Sequence, residues 1–208
     1  MTASRRATLG LVLACTTWFA AAAVPASVAS PALLAAAVRL GFATGELTSA
    51  WRGWPQSVPP QRLAWLGARL VAVANVLPVV VEGALPLVAS RAAVGASLAL
   101  VYPSVLHLVS AGAAGRPGRA LGAVIAALTI GSAGPRVIRA AGITAWPLLV
   151  ATSLAVLAGG ALIRSARAPH RLAGRGFDAR QVGLVLARPS VRRSMGASRR
   201  RTDAGRLP

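Results

Sequence analysis

Six apolar runs, each about as long as a membrane-spanning helix, restrict the fold of this chain more than any other sequence feature. The hydrocarbon core of a bilayer is about 30 Å thick and needs roughly 20 helical residues to cross it. Apolar side chains occur on all faces of the runs and not along one stripe, which indicates lipid-embedded helices rather than amphipathic surface helices. The runs cover residues 7–24, 31–50, 63–81, 85–108, 120–138 and 143–163.

The links between these runs are short and contain residues that interrupt helices. The second link carries Pro55, Pro59 and Pro60, which cannot continue a helix. Short links make consecutive helices antiparallel neighbours. The sequence therefore predicts an all-α membrane protein, with six transmembrane helices in one up-down bundle over residues 1–163. Residues 164–208 are predicted to form a basic, disordered cytoplasmic tail.

The positions of the arginines predict the orientation. All 23 basic residues are Arg, and 12 of them follow residue 163. With a cytoplasmic N-terminus, 18 arginines lie on the cytoplasmic side, and only Arg136 and Arg139 lie near an outer link. The other three, Arg39, Arg69 and Arg91, lie within the runs. The distribution predicts a multi-pass protein of the cell membrane with both termini in the cytoplasm.

The first run has an alternative interpretation. Arg5 and Arg6, the apolar stretch and the small residues at 28–30 together resemble a cleavable signal peptide. Pro31 is a poor first residue for a mature chain, and the segment after it is again apolar and long enough to span a bilayer. We therefore expect the first helix to be retained.

The composition argues against an enzyme. Charged residues make up 13% of the chain, against about 25% in an ordinary soluble domain. The single cysteine, Cys15, excludes an internal disulfide and any multi-cysteine metal site. The sequence has neither a glycine-rich phosphate loop with a lysine nor a recognisable nucleophile–base motif. We therefore expect no enzymatic activity, no cofactor and no bound metal.

The net charge of +19 raises the question of a nucleic-acid partner. The basic tail has one aromatic residue, Phe177, and no nucleic-acid-binding motif. Arginines next to a membrane attract anionic lipid head groups by about 1 kcal/mol each. The predicted partners are therefore membrane lipids and not a nucleic acid.

Several segments, taken in order and spacing, resemble the N-terminal six-helix half of major facilitator superfamily transporters, in particular the bacterial nitrate, cyanate and sugar permeases. These segments are VRLGFATG at 38–45, VPPQRL at 58–63, VYPSVLH at 101–107, GRALG at 118–122, LTIGSAGP at 128–135, FDAR at 177–180 and VGLVL at 182–186. The resemblance implies a secondary transporter of a small solute, in which two six-helix halves move about a site near the midplane. It does not identify the solute.

Two departures from the family pattern favour an alternative. The family carries an Asp-Arg pair in the loop after the second helix, whereas the loop here is WRGWPQS at 51–57, and only Arg62 matches the basic end. The family has twelve helices, and the sequence after residue 193 does not resemble a seventh. The alternative is a truncated, non-transporting membrane protein that packs with a partner bundle, either a second six-helix half or another copy of itself. We expect the bundle alone not to transport.

Ionisable residues inside the runs are the first candidates for a transport cavity. Arg91 and Gly95 form an Arg-x-x-x-Gly pattern that resembles a second signature of the family. A charge at membrane depth costs at least about 2.5 kcal/mol, so Arg91 should face a wet cavity or a partner, or else snorkel to the interface. Arg39 and Glu46 are seven residues apart, on one helix face. They pair with each other, or each pairs elsewhere, or Glu46 reaches the cytoplasmic head groups.

Tyr102 is the remaining cavity candidate. It precedes Pro103, which should kink its helix, and it serves either as a substrate contact or in packing. Small residues form a separate group of helix-packing candidates, because they let transmembrane helices approach closely. This group consists of Gly95, Gly122, Gly131, Gly134 and Pro135. Those in the fifth run also resemble the Gly-Pro signature of antiporters, with one residue too few between Gly131 and Gly134.

Overall fold

The computed structural model of the chain describes residues 2–18, 29–81, 83–112, 117–142 and 145–166. All regular secondary structure in these ranges is helical, which confirms the predicted all-α class for this part of the chain. The helices are α1 (Ala3–Cys15), α2 (Pro31–Trp51), α3 (Trp54–Ser57), α4 (Pro60–Val80), α5 (Ala84–Gly112), α6 (Pro117–Ala140) and α7 (Ala145–Arg164). Residues 19–24 of the first predicted span and the tail after residue 166 lie outside the described residues.

Local sequence determines where these helices begin. Ser30 caps α2, since its hydroxyl accepts a hydrogen bond from the backbone N–H of Leu33 at 3.2 Å, and Pro31 occupies the first helical position. Pro60 likewise begins α4. The short helix α3 is a single turn within the second link, which the sequence had not predicted.

Three helices are long and apolar enough to cross a membrane: Pro60–Val80, Ala84–Ala111 and Pro147–Arg164. They correspond to the third, fourth and sixth predicted spans. The described residues of the other runs do not reach the same combination of length and hydropathy. In α2, Arg39 and Glu46 lower the mean hydropathy, and the described part of α1 has only 13 residues. Six transmembrane spans therefore stay a prediction.

Close contacts between the helices determine their relative directions. Two pairs run in the same direction, because residue numbers rise together along each contact. These contacts are Gly41 with Ala92 and Gly45 with Ala96 between α2 and α5, and Gly131 with Val12 and Gly134 with Thr16 between α1 and α6.

Three other pairs run in opposite directions, because residue numbers rise on one helix as they fall on the other. These contacts are Gly67 with Ser97 and Asn75 with Arg91 between α4 and α5, Arg6 with Ser165 and Gly10 with Gly159 between α1 and α7, and Asn75 with Ser153 and Ala68 with Gly160 between α4 and α7. Together, the five pairs place α1, α4 and α6 in one direction and α2, α5 and α7 in the other.

Most interfaces between the six long helices match between two triplets, whereas the α5–α6 and α6–α7 interfaces have no counterpart of similar extent among the described residues. Exchanging α1 with α5, α2 with α6 and α4 with α7 converts the α2–α5 interface into the α6–α1 interface. The same exchange converts the α4–α5 interface into the α7–α1 interface. The α4–α7 and α1–α5 interfaces map onto themselves. Exchanged helices run in opposite directions, so these six interfaces have the arrangement of two inverted three-helix repeats.

Helix α5 is the central element of the bundle, because it contacts α1, α2, α4 and α6. Its buried side chains are mostly small or branched, including Val94, Val101 and Val105. They pack against a core that α1, α4, α6 and α7 complete with Leu11, Val71 and similar residues.

Candidate functional site: a cavity and a buried polar cluster

A cavity of about 460 Å³ lies between α1, α2, α5 and α6. This volume falls in the range of small-molecule binding sites, roughly 300–1,000 Å³. The residues that line it come from all four helices and from the turn after α1. They are Leu11, Cys15, Trp18, Phe42, Leu98, Val101, Tyr102, Leu128, Thr129 and Ser132.

Three aromatic side chains form a continuous row along this cavity. The ring centroids of Trp18 and Phe42 lie 5.3 Å apart with planes inclined by 64°, and those of Phe42 and Tyr102 lie 6.2 Å apart at 72°. Both pairs are edge-to-face, an arrangement that aromatic quadrupoles favour. Tyr102, a transport-cavity candidate from the sequence, thus lines this cavity, and its role there stays a prediction. Phe42 and Trp18 were missed, because an aromatic residue within an apolar run carries no sign of which face it occupies.

The polar groups at the cavity are few and uncharged. The Thr129 hydroxyl donates to the carbonyl of Ile125 at 3.0 Å, and the Ser132 hydroxyl donates to the carbonyl of Thr129 at 2.9 Å. Both hydroxyl protons are therefore used within α6, and only oxygen lone pairs remain for a ligand. No charged side chain is among the described residues that line the cavity.

Arg91 lies away from this cavity. Its side chain has no solvent exposure, so it does not snorkel to the surface of the bundle. Nη2 donates to the backbone carbonyl of Asn75 at 3.4 Å, while Nε and Nη1 have no hydrogen-bond partner. A buried charge is costly unless it is paired, and no ion pair involving Arg91 occurs within the described ranges.

Asn75 connects Arg91 to α7 in a buried polar cluster. Its Nδ2 lies 2.9 Å from each of three acceptors, the carbonyl oxygen of Leu149 and the hydroxyls of Thr152 and Ser153. Its Oδ1 is buried without a partner. The cluster therefore offers two guanidinium nitrogens and one amide oxygen to a further polar group. Asn75 was not predicted from the sequence, although it is the only asparagine of the chain and its position inside an apolar run is itself a signal.

The other two ionisable candidates lie apart from both features. On α2, Arg39 is exposed and Glu46 is half-buried. No hydrogen bond or ion pair joins their side chains in the part of the chain that the structure describes. Neither residue lines the cavity.

The candidate packing glycines occupy unlike positions. A Cβ added at Gly95 would meet the backbone of Val38, and one added at Gly131 would meet the backbone of Val12. At Gly134 it would make an ordinary contact of 3.6 Å with Thr16, and at Gly122 nothing described lies within 4 Å. The side chain of Pro135 lies outside the described residues.

Other glycines at the same interfaces were missed. Gly41 and Gly45, which pack against α5, are four residues apart. This is the small-xxx-small spacing of membrane helix contacts, and it was a signal that the sequence contained.

Comparisons with known proteins assign no family to the chain. No protein-family profile matches it, and no curated protein or solved structure matches it significantly. The resemblance to the major facilitator superfamily therefore rests on the sequence segments alone.

Proposed function

We propose that the chain forms one six-helix half of a secondary transporter of the major facilitator type, which moves a small solute across the cell membrane. The main support is the relation between α1, α2, α4 and α5, α6, α7, whose directions are reversed and which match in six of the eight described interfaces. Inverted three-helix repeats are nested within each six-helix half of this transporter fold.

The position of the cavity supports the same proposal. Two of the four helices around it, α1 and α2, belong to the first triplet, and the other two, α5 and α6, belong to the second. The exchange that relates the triplets converts α1 and α2 into α5 and α6. The cavity therefore lies at the interface between the repeats, where transporters of this kind bind their substrates.

The outer surface of the bundle agrees with a lipid environment. Large apolar side chains project from it, among them Leu47 and Val73, which are 73% and 70% exposed. Lipid or a second bundle would cover them. The start of α1 lies beside the end of α7, where an Arg6 guanidinium nitrogen donates to the carbonyl of Ser165 at 3.2 Å. The distribution of arginines predicts a cytoplasmic location for this end of the bundle.

A topology experiment tests the membrane part of the proposal. The link at residue 82 and the link at residues 113–116 are at opposite ends of α5. Reporter fusions at the two links should therefore report opposite sides of the membrane. If both reported the same side, α5 would not be a transmembrane helix.

The alternative function is that of a membrane protein that packs with a partner bundle but does not transport. It is favoured by the loop at residues 51–57, which has no carboxylate where the family carries an Asp. Arg52 in this loop lies over the Trp54 ring instead, 5.5 Å from its centroid.

Uptake measurements separate the two functions. Alternating access needs two bundles, so uptake should be measured in membrane vesicles from cells that express the chain and in proteoliposomes with the purified chain. Saturable uptake in the vesicles alone would support a transporter half that needs a partner bundle. Saturable uptake in both would show that copies of the chain suffice. If folded protein gave no uptake in either preparation across anions, sugars and aromatic compounds, the packing function would replace the transporter.

A further inference from the structure

We infer that the cavity between α1, α2, α5 and α6 binds an uncharged aromatic small molecule, and not an inorganic anion or a sugar. The relevance of this binding to transport rests on the proposed function. Binding at the cavity can nevertheless be measured separately from transport.

The lack of charged side chains in the described lining argues against an anion as the ligand. An ion that enters a site without a counter-charge loses its hydration with nothing to replace it. The described lining has no cationic side chain, and the buried Arg91 donates to the carbonyl of Asn75 instead. The described lining also has no carboxylate that would neutralise a cationic ligand.

The hydrogen-bonding capacity of the cavity argues against a sugar. A sugar brings several hydroxyls, and each one buried without a partner carries a desolvation penalty. The hydroxyl protons of Thr129 and Ser132 are already donated within α6. Strong donors to a ligand are then limited to Tyr102 and Trp18, which is enough for one or two polar atoms.

The row of aromatic side chains beside the cavity favours an aromatic ligand. Trp18, Phe42 and Tyr102 come from three different segments and meet edge-to-face beside the cavity. Aromatic rings favour offset or edge-to-face partners with centroids 4.5–7 Å apart, so a ligand ring can extend the row. Leu98, Val101 and similar apolar residues form the remaining wall. This combination suits a planar apolar body with few polar groups.

The test is equilibrium binding of tritiated 2-naphthol, which is uncharged at neutral pH, to the full chain in lipid nanodiscs. Ser132→Phe places a ring in the cavity and should weaken binding by at least about tenfold. Ile130→Phe is the matched control, since residue 130 is on the same helix, is 62% exposed and does not line the cavity. Binding to this control should stay within about twofold of the unmodified chain, because its added ring enters no binding site. Phe42→Leu removes one ring from the row and should weaken binding by about two- to tenfold. If Ser132→Phe fails to fold, the weakening of binding in Phe42→Leu becomes the test of the inference.

Several results would overturn the inference. These are the absence of saturable 2-naphthol binding, its displacement by nitrate, glucose or tetraethylammonium, and a co-purified lipid that native mass spectrometry detects on the unmodified chain but not on Ser132→Phe. Binding without any solute uptake would leave the inference in place and refute the transporter. Uptake of nitrate or glucose without 2-naphthol binding would refute the inference and leave the transporter proposal in place.

Discussion

Gly95, at the crossing of α2 and α5, provides the sharpest test of how these two helices pack. In Gly95→Ala, the added Cβ would meet three atoms of the α2 backbone, of which the Phe42 nitrogen would be at 2.8 Å and the Val38 carbonyl carbon at 2.9 Å. The Val38 carbonyl oxygen would be closer still, and ordinary van der Waals contact begins at 3.4 Å, so α2 must move away by more than 0.6 Å. A backbone cannot rotate aside as a flexible side chain can.

The expected loss of stability follows from the helix contacts that this movement opens. A gap of about 0.5–1 Å removes a quarter to a half of the dispersion energy at each affected contact. The α2–α5 interface also contains the close contacts of Gly41 and Gly45, which the same movement opens. Van der Waals packing holds membrane helices together, and overpacking costs typically 1–3 kcal/mol. We expect Gly95→Ala to lower the free energy of unfolding by about this amount relative to Gly122→Ala.

Gly122→Ala is the control because nothing described lies within 4 Å of its added Cβ. Both substitutions gain the same helix propensity, about 1 kcal/mol, so this contribution cancels in the comparison. The free energies would be measured by titrating dodecyl sulfate into mixed micelles and following helicity by circular dichroism. If Gly95→Ala were as stable as Gly122→Ala, α2 and α5 would not cross at residue 95.

Three further predictions concern the polar cluster and the cavity. Asn75→Leu should lower the free energy of unfolding by about 1 kcal/mol, because the two amide protons of Asn75 can make at most two interhelical hydrogen bonds at roughly 0.6 kcal/mol each. Val73→Leu, on the exposed side of α4, is the control in the same titration. Arg91→Met should raise the free energy of unfolding by up to about 2.5 kcal/mol, because it removes a buried charge without an ion-pair partner, and a decrease instead would reveal an anionic group beside Arg91. Tyr102→Phe should leave 2-naphthol binding within about threefold, since the ring stays and one donor is lost, whereas a larger loss would make the hydroxyl the main ligand contact.

The helices themselves were largely predictable from local sequence. The predicted run at 31–50 became Pro31–Trp51, and the run at 63–81 became Pro60–Val80. Long apolar segments and the prolines between them determine these bounds through neighbouring residues, without reference to the fold. The single turn of α3 was missed because it occupies only four residues of a link rich in Pro.

The sequence by itself determined the helical class, the short links and the presence of Arg91, Tyr102 and the small residues inside apolar segments. Only the tertiary structure decided what each of these residues faces. Arg91 and Tyr102 are 11 residues apart, so they project within roughly 20° of each other on α5. Yet Arg91 meets Asn75 of α4, and Tyr102 meets Phe42 of α2 beside the cavity. The neighbours of a helix change along its length wherever helices cross, and runs that are apolar on all faces contain no pattern from which those crossings can be predicted.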